Sequence, residues 1–436
     1  IATENDIENC DLLIVALYPG ASIVFLKKNA HLIKKGAIVV DRNNIPKSTV
    51  CYLPKDTKVG ISCKKAYHGW KMNVNGVEEI TELSLPENGL QVAINITADK
   101  ENRYQYLYYS PDEKGIPYRI PAITTTANGY VFAINDYRPC GNDIGFGEVD
   151  LVMRHSTKAG KEWDGTSWTA PVKIADGLGK EATETWLTGF GDPAIVADRE
   201  SDRVLVLSCA GNVSFQAGSR NNHQNIARFY SDDNGANWSE PEDIAESIYS
   251  QFDKSPIGPV MAMFIGSGKI SQSSTVKVGD YYRLYCAILA RDKGAKHMNY
   301  VLYSDDFGDS WKVLGSVNTP AVYNTADEPK VEEMPDGRIL LSSRYNNGRY
   351  YNMFTFSDVA SGSGSWDEAI FSGAANNGVE AKENSTNGEV MVLPVTRVED
   401  GESMHLLLQS LPLGPDRKNV GIYYKELASQ DDYVST

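Results

Sequence analysis

Long apolar runs are missing from this 436-residue chain: no stretch approaches the ~20 residues a helical membrane span needs. Positive charge is short as well. Lys and Arg number 42 against 57 Asp and Glu, a formal net charge of −15. That balance argues against a nucleic-acid partner, because phosphate binding needs a basic surface. An anionic ligand would be repelled at long range, so any acid-binding site must be a local arginine cluster acting within ~8–10 Å. Cysteine is sparse. The six present (Cys10, Cys51, Cys63, Cys140, Cys209, Cys286) show no CxxC or Cys/His spacing, which argues against zinc and excludes a dense disulfide framework. An initiating methionine and a signal peptide are also absent, so the chain reads as a piece of a longer frame and carries no visible address.

What is there is 42% hydrophobic residues, 37 glycines and 24 tyrosines, the make-up of a folded, strand-rich protein. Residues 1–50 differ from the rest. Asp11-Leu12-Leu13-Ile14-Val15-Ala16-Leu17 reads as a buried strand, a helical pattern runs to Lys35, and Ala37-Ile38-Val39-Val40-Asp41 reads as another strand. Strand, helix, strand is a βαβ unit, and its wording resembles a middle segment of prephenate dehydrogenases. No G-x-G-x-x-G precedes Asp11, so a dinucleotide site is not expected and the role of the segment stays open. Residues 51–103 alternate at Leu90, Val92, Ile94 and Ile96 after the Pro86-Glu87-Asn88-Gly89 turn, which predicts a strand pair or the remnant of a small β-domain.

From residue 104 to 436 the pattern is short strands and turns. Two copies of S-x-D-x-G-x-x-W stand at Ser231–Trp238 and Ser304–Trp311, 73 residues apart by their serines. A degenerate copy runs from Ser156 to Trp163 and a stretched one from Ser357 to Trp366. Repeats of this length point to a propeller of four-stranded blades. In each full copy the aspartate can accept N–H bonds inside a turn, the glycine supplies positive φ, and the tryptophan packs between strands. These boxes are structural, since two intact copies cannot share one active site.

Before them lies Tyr118-Arg119-Ile120-Pro121, an arginine at the head of an apolar run whose proline removes a backbone donor. An Arg-Ile-Pro start followed by such Asp boxes resembles the bacterial exo-sialidases, over about three quarters of the chain. The resemblance implies an all-β, six-bladed propeller lacking the end of its last blade, with a small α/β segment ahead of it. It implies no cofactor. Its substrates would be sialylated glycoproteins, glycolipids or oligosaccharides, and its location secreted, periplasmic or at the cell surface.

The substrate dictates the site. A carboxylate on the anomeric carbon calls for several planar guanidinium forks. Arg119, Arg344 at the end of a strand leaving Pro335-Asp336-Gly337, and Arg417 in Pro415-Asp416-Arg417 match the family's three arginines in context and order. A carboxylate nucleophile would be repelled by that substrate, so sialidases use a neutral tyrosine assisted by a glutamate. Glu328, sixteen residues before Arg344, matches the glutamate; its rival reading is an ordinary exposed acid beside Asp327, Glu332 and Glu333. Asp143, in the glycine-rich loop 136–147, matches the proton donor, with Asp136 as rival. Arg138 matches an accessory arginine, and Asp192 the aspartate that bonds substrate substituents. Glycines 141, 145 and 147 are expected to let the loop close. For the nucleophile, Tyr423, Tyr424 and Tyr433 lack the family's context, so the expectation is that it lies past Thr436 and that this stretch alone turns over little sialoside. A propeller that binds sialoglycans without turnover, and a transfer-type or intramolecular sialidase, are the alternatives.

Overall fold

The computed structural model describes residues 106–373 except 325 and 347, together with 386–397, 401–412 and 420–427. Elsewhere it describes residues 28–32 and the strand backbones of Leu12–Val15, Ile38–Asp41, Lys58–Gly60, Trp70–Val74, Val77–Glu78, Glu82–Ser84, Ile94–Ala98 and Val434–Ser435. The chain forms two compact units, 1–107 and 108–436.

In the first unit Leu12–Val15 pairs in parallel with Ile38–Asp41, register Leu12 to Ile38, with a 3-10 turn at Ala30–Leu32 between them. Parallel pairing requires a crossover of the kind a βαβ unit supplies. Further along, Trp70–Val74 is flanked by Val77–Glu78 and Ile94–Ala98, and Lys58–Gly60 pairs with Glu82–Ser84.

The second unit is a β-propeller of five sheets. The first blade runs Tyr118–Thr125, Val131–Tyr137, Asp150–His155, Val172–Ala175. The second runs Phe190–Ala197, Val204–Ala210, Asn225–Ser231, Glu242–Asp243, with Gly268–Lys269 added in parallel to its first strand. The third is built on Tyr281–Arg291 and His297–Ser304, with four further partners. The fourth follows Asp327–Glu333, Ile339–Tyr345, Gly348–Asp358, Ser363–Trp366, with Ile370–Gly373 also on Gly348–Asp358. The fifth is Val390–Thr396, Ser403–Pro412, Val420–Glu426, Val434–Ser435.

Five sheets, not the six expected from the sequence, are present among the described residues. The strands are numerous enough to suggest six, but several are edge additions: the third sheet alone takes six strands and the second and fourth take five each. The fifth sheet has four strands, the usual number for a blade, so the expected truncated blade is not seen there.

Hydrophobic cores fill the spaces between consecutive blades. Phe132, Ile134 and Leu151 of the first meet Phe190, Val204 and Phe229 of the second. Leu205 and Leu207 meet Leu284 and Met298, then Tyr285 and Val301 meet Val331 and Ile339, and Leu340 meets Val390, Leu407 and Tyr423. A strand covered on both faces is buried at every position, which is why six of the seven buried residues of Val204–Ala210 are apolar, Ser208 being the exception.

The boxes tie the blades together. All four copies span the turn between a blade's third strand and its fourth. In the second blade Ser231 Oγ donates to Asp233 Oδ1 (2.7 Å), Asn237 N donates to the same oxygen (2.8 Å), and Gly235 N donates to Ser231 Oγ (2.8 Å). Asn237 Nδ2, then Asn237 N and Ser231, hold the Asp233 carboxyl down at about 2. Ser304, Asp306, Gly308 and Ser310 repeat the arrangement in the third blade. The glycines are positive in φ, +80° at Gly235 and +90° at Gly308. They are also docking points: a Cβ at Gly235 would lie 2.4 Å from Phe132 of the first blade, and one at Gly308 2.4 Å from Leu205 of the second. Each box therefore seats its turn against the blade before it.

Candidate active site

Chemistry-bearing residues collect where the first strands of the blades begin. Arg119 opens the strand Tyr118–Thr125 and pairs in register with Asp136 on the neighbouring strand. The register shifts between Arg119 and Ala122, and Ile120 sits at φ +51°. A β-branched residue in the left-handed region is a strained outlier, and a bulge of this kind re-aims a side chain. Arg119 is exposed and makes no ion pair with any described residue.

Two residues on from Asp136, Arg138 is 2% exposed and is surrounded by three carboxylates. Its Nε and Nη2 donate to Asp136 Oδ2 at 3.0 and 2.6 Å, its Nη1 donates to Asp143 Oδ1, and Asp192 Oδ1 lies 3.7 Å from Nη2. Asp136 also accepts the Asp192 backbone N–H at 2.8 Å, so one carboxylate bridges the first blade to the second. Asp192 needs that hold, because its φ is +55°. Burial pushes the Asp136 carboxyl up to about 6 against the pull of Arg138. Burial, and then the charge of Asp136, push Asp192 up further. One guanidinium cannot neutralise both buried acids, and Asp136 has the better bonds. Asp192 is therefore the acid whose neutral form the surroundings favour more.

Asp143 differs. Its side chain is 72% exposed, on the loop tip beside Asn142 and Gly141. The loop base is pinned: Ile144 is 2% exposed in the core, and a Cβ at Gly145 would lie 2.3 Å from Ser214 N. The glycines expected to let the loop close thus serve, at 145, to let it pack. Of the two aspartates weighed for the acid role, Asp136 is fully buried behind Arg138, and Asp143 faces solvent.

On the fourth blade Glu328 and Arg344 lie on adjacent antiparallel strands, and Arg344 Nη1 donates to Glu328 Oε2 at 2.5 Å. The charge of Glu328, on the fourth blade, is one of those acting on Asp192 of the second. Glu328 itself, its side chain 14% exposed, is not the ordinary exposed acid of the rival reading, and two of its neighbours are also engaged. Glu333 accepts from Ser274 N and Oγ (2.5 and 2.6 Å), and Glu332 pairs with Lys269. Arg417 lies outside the described residues, as does Tyr433. Tyr423 is 4% exposed in the packing between the fourth and fifth blades.

Residues 120–421 match the BNR repeat-like domain. The chain belongs to that family. Its curated relatives are sialidases: that of Micromonospora viridifaciens is 30% identical over 248 residues, 53% of this chain and 33% of that protein. The chain spans between 33% and 59% of the length of the four such relatives it matches. A Hadza microbial sialidase superposes over 72% of this chain and 57% of its own, with TM-score 0.53 and 22% identity. A leech intramolecular trans-sialidase, solved with 2,7-anhydro-Neu5Ac, superposes over 82% and 69%, with TM-score 0.54 and 16% identity. At those identities the two structures bear on the fold.

Within this BNR repeat-like chain, the geometry assembles Asp136, Asp143 and Asp192 around the guanidinium of Arg138 and pairs Glu328 with Arg344. Sequence reasoning gave Asp136 only a rival's part, although an acid near the end of Val131–Tyr137 with Arg138 two residues on signals a clamp. It passed over Lys330 and Arg349. Arg349 is fully buried, donating from Nε to Ser342 Oγ (2.6 Å) and from Nη2 to the carbonyls of Ser342 (2.9 Å) and Glu328 (3.5 Å).

Among the described residues one acidic group, Glu148, Asp150 and Asp176, is close enough to hold a cation. Lys173 already sits there, 2.8 Å from Asp150 Oδ2. No described helix is long and apolar enough to cross a membrane.

Proposed function

We infer that residues 108–436 carry the binding and acid–base groups of an exo-α-sialidase, acting on terminal sialic acids of glycoproteins, glycolipids or oligosaccharides. The observation that carries the reading is the Glu328–Arg344 pair at 2.5 Å, beside the cluster in which Arg138 pairs with Asp143 and Asp192. A lectin needs guanidinium groups for a sugar carboxylate, but not an exposed acid facing a paired glutamate.

Arg119, exposed and without an ion pair among the described residues, and Arg344 are the arms that take the substrate carboxylate, with Arg417 as the third. Asp143, reachable from solvent and steadied by Arg138, delivers a proton to the leaving oxygen and later accepts one from water. Glu328 accepts the phenolic proton of a tyrosine nucleophile as its oxygen attacks the anomeric carbon, and the second displacement restores the original configuration. Tyr423, packed between blades, is unsuited to that attack. Asp192 donates to a polar substituent of the sugar. Substrates of this kind go with secretion or surface display.

The test is binding of a non-reacting 2,3-unsaturated sialic acid by calorimetry, beside turnover of a fluorogenic sialoside. Arg119→Ala and Arg344→Ala should each weaken binding by about 10–100-fold, the value of roughly 1.5–3 kcal/mol for a charged hydrogen bond. Wild-type protein that fails to bind the analogue at millimolar concentration refutes the reading.

A further inference from the structure

One irregularity recurs on the blades that carry the site. In the first blade Arg119 pairs with Asp136 and Ala122 with Ile134, so Ile120 and Pro121 together face Asn135. In the second, Gly191 pairs with Cys209 and Ala194 with Leu207, so Asp192 and Pro193 together face Ser208. In the fourth, Asp327 pairs with Arg344 and Pro329 with Ser343, which leaves Glu328 as the extra residue. Each is a bulge on a blade's first strand, and each falls at an Xaa-Pro step at or beside a candidate site residue. Three other strand pairs among the described residues shift register, at 151–152, 272–277 and 356–358, and none of those steps holds a proline or a candidate site residue. The fifth blade supplies the converse. Pro394 lies on its first strand with an unbroken register from Val390 to Thr396, and that strand carries no candidate site residue.

Proline explains why such a bulge stays in place. It has no N–H to give the ladder, and within sheets it is confined to edges, strand starts and bulges. The residue ahead of a proline favours the extended region, yet Ile120 and Asp192 hold φ +51° and +55°. Strain of this kind persists only where the surrounding structure enforces it, and it gathers at functional sites. In the first blade only Tyr118 and Arg119 of the strand precede the bulge, so a slip of that short end would restore a continuous ladder. The slip would also turn Arg119 to the opposite face of the sheet. On the functional reading above, on which this inference rests, Arg119 would then be lost to the sugar carboxylate. We propose that Pro121 is a positioning residue: by withholding the donor that a continuous ladder needs, it bars the slip and keeps Arg119 aimed at the substrate.

The test compares wild type, Pro121→Ala, Arg119→Ala, the double variant and Pro394→Ala by calorimetric titration with the 2,3-unsaturated sialic acid, beside thermal unfolding. Pro121→Ala should bind roughly tenfold more weakly, the scale of a lost charged hydrogen bond. Adding Arg119→Ala to it should weaken binding little further, because the arm has already turned away. Its melting temperature should be unchanged or raised, since a recovered ladder bond and relief at Ile120 offset the freedom that alanine returns to the unfolded chain. Pro394→Ala, at a proline without a bulge, should bind like wild type. Losses that add in the double variant overturn the proposal, as does an equal loss in Pro394→Ala. A Pro121→Ala variant that melts lower or fails to fold makes the proline a structural residue only, and overturns it too. Wild type that shows no binding at all overturns the functional reading and this inference with it, whereas wild-type binding with an unaffected Pro121→Ala overturns this inference alone.

Discussion

Replacing Asp136 by alanine removes the carboxylate that binds Arg138 at 3.0 and 2.6 Å and receives the Asp192 N–H at 2.8 Å. Leaving one partner of a buried pair alone costs about 3–5 kcal/mol. Arg138 would still have Asp192 at 3.7 Å and the largely solvated Asp143, so the lower end applies to the charge. The orphaned N–H of a strained residue adds about 1 kcal/mol. Together these give a loss of about 4 kcal/mol from the propeller. The assay is urea unfolding followed by intrinsic fluorescence, with Arg138→Met and the double variant measured alongside. The double variant should be clearly more stable than Asp136→Ala, because removing both charges relieves the desolvation that removing one leaves behind. A loss under about 1 kcal/mol, or additive effects in the double variant, would refute the bridging part assigned to Asp136.

Other predictions use the same packing and charges. Asp192 has its folded carboxyl raised above the unfolded value, so the proton it retains favours folding at low pH, and that contribution fades as pH rises above ~4. Asp192→Asn, which tolerates φ +55°, should raise the urea midpoint at pH 7 and leave it nearly unchanged at pH 4; an equal change at both pH values would contradict the assignment. Asp306→Ala removes an acceptor of bonds from Ser304 Oγ, Ser310 N and Ser310 Oγ and should cost about 1–2 kcal/mol, read as a lower thermal midpoint. Gly308→Ala places a Cβ 2.4 Å from Leu205 at a positive φ and should cost about 2 kcal/mol or more; a neutral result would show that the turn is not seated on the second blade.

Much of the fold is legible in the sequence because its constraints are chemical and local. An Asp box needs a hydroxyl, a carboxylate and a glycine at fixed spacing, so the turns at Ser231 and Ser304 read directly as turns. The parallel pairing of Leu12–Val15 with Ile38–Asp41 follows from two apolar runs and the crossover between them. The blade count does not, since Gly268–Lys269 and Ile370–Gly373 carry no mark that they join an existing sheet rather than found one. The candidate site divides in the same way. Arg119, Asp143 and Glu328 announce themselves through motifs. Lys330 meets Glu389 only because blades fifty-nine residues apart converge, which no local pattern records.

The most direct trial of the account is a structure of the protein bound to the 2,3-unsaturated sialic acid. It should show the sugar carboxylate within about 3 Å of the guanidinium groups of both Arg119 and Arg344, with Glu328 on the far side of Arg344. A ligand whose carboxylate touches neither arginine, or one seated away from the head of the Tyr118–Thr125 strand, would contradict it.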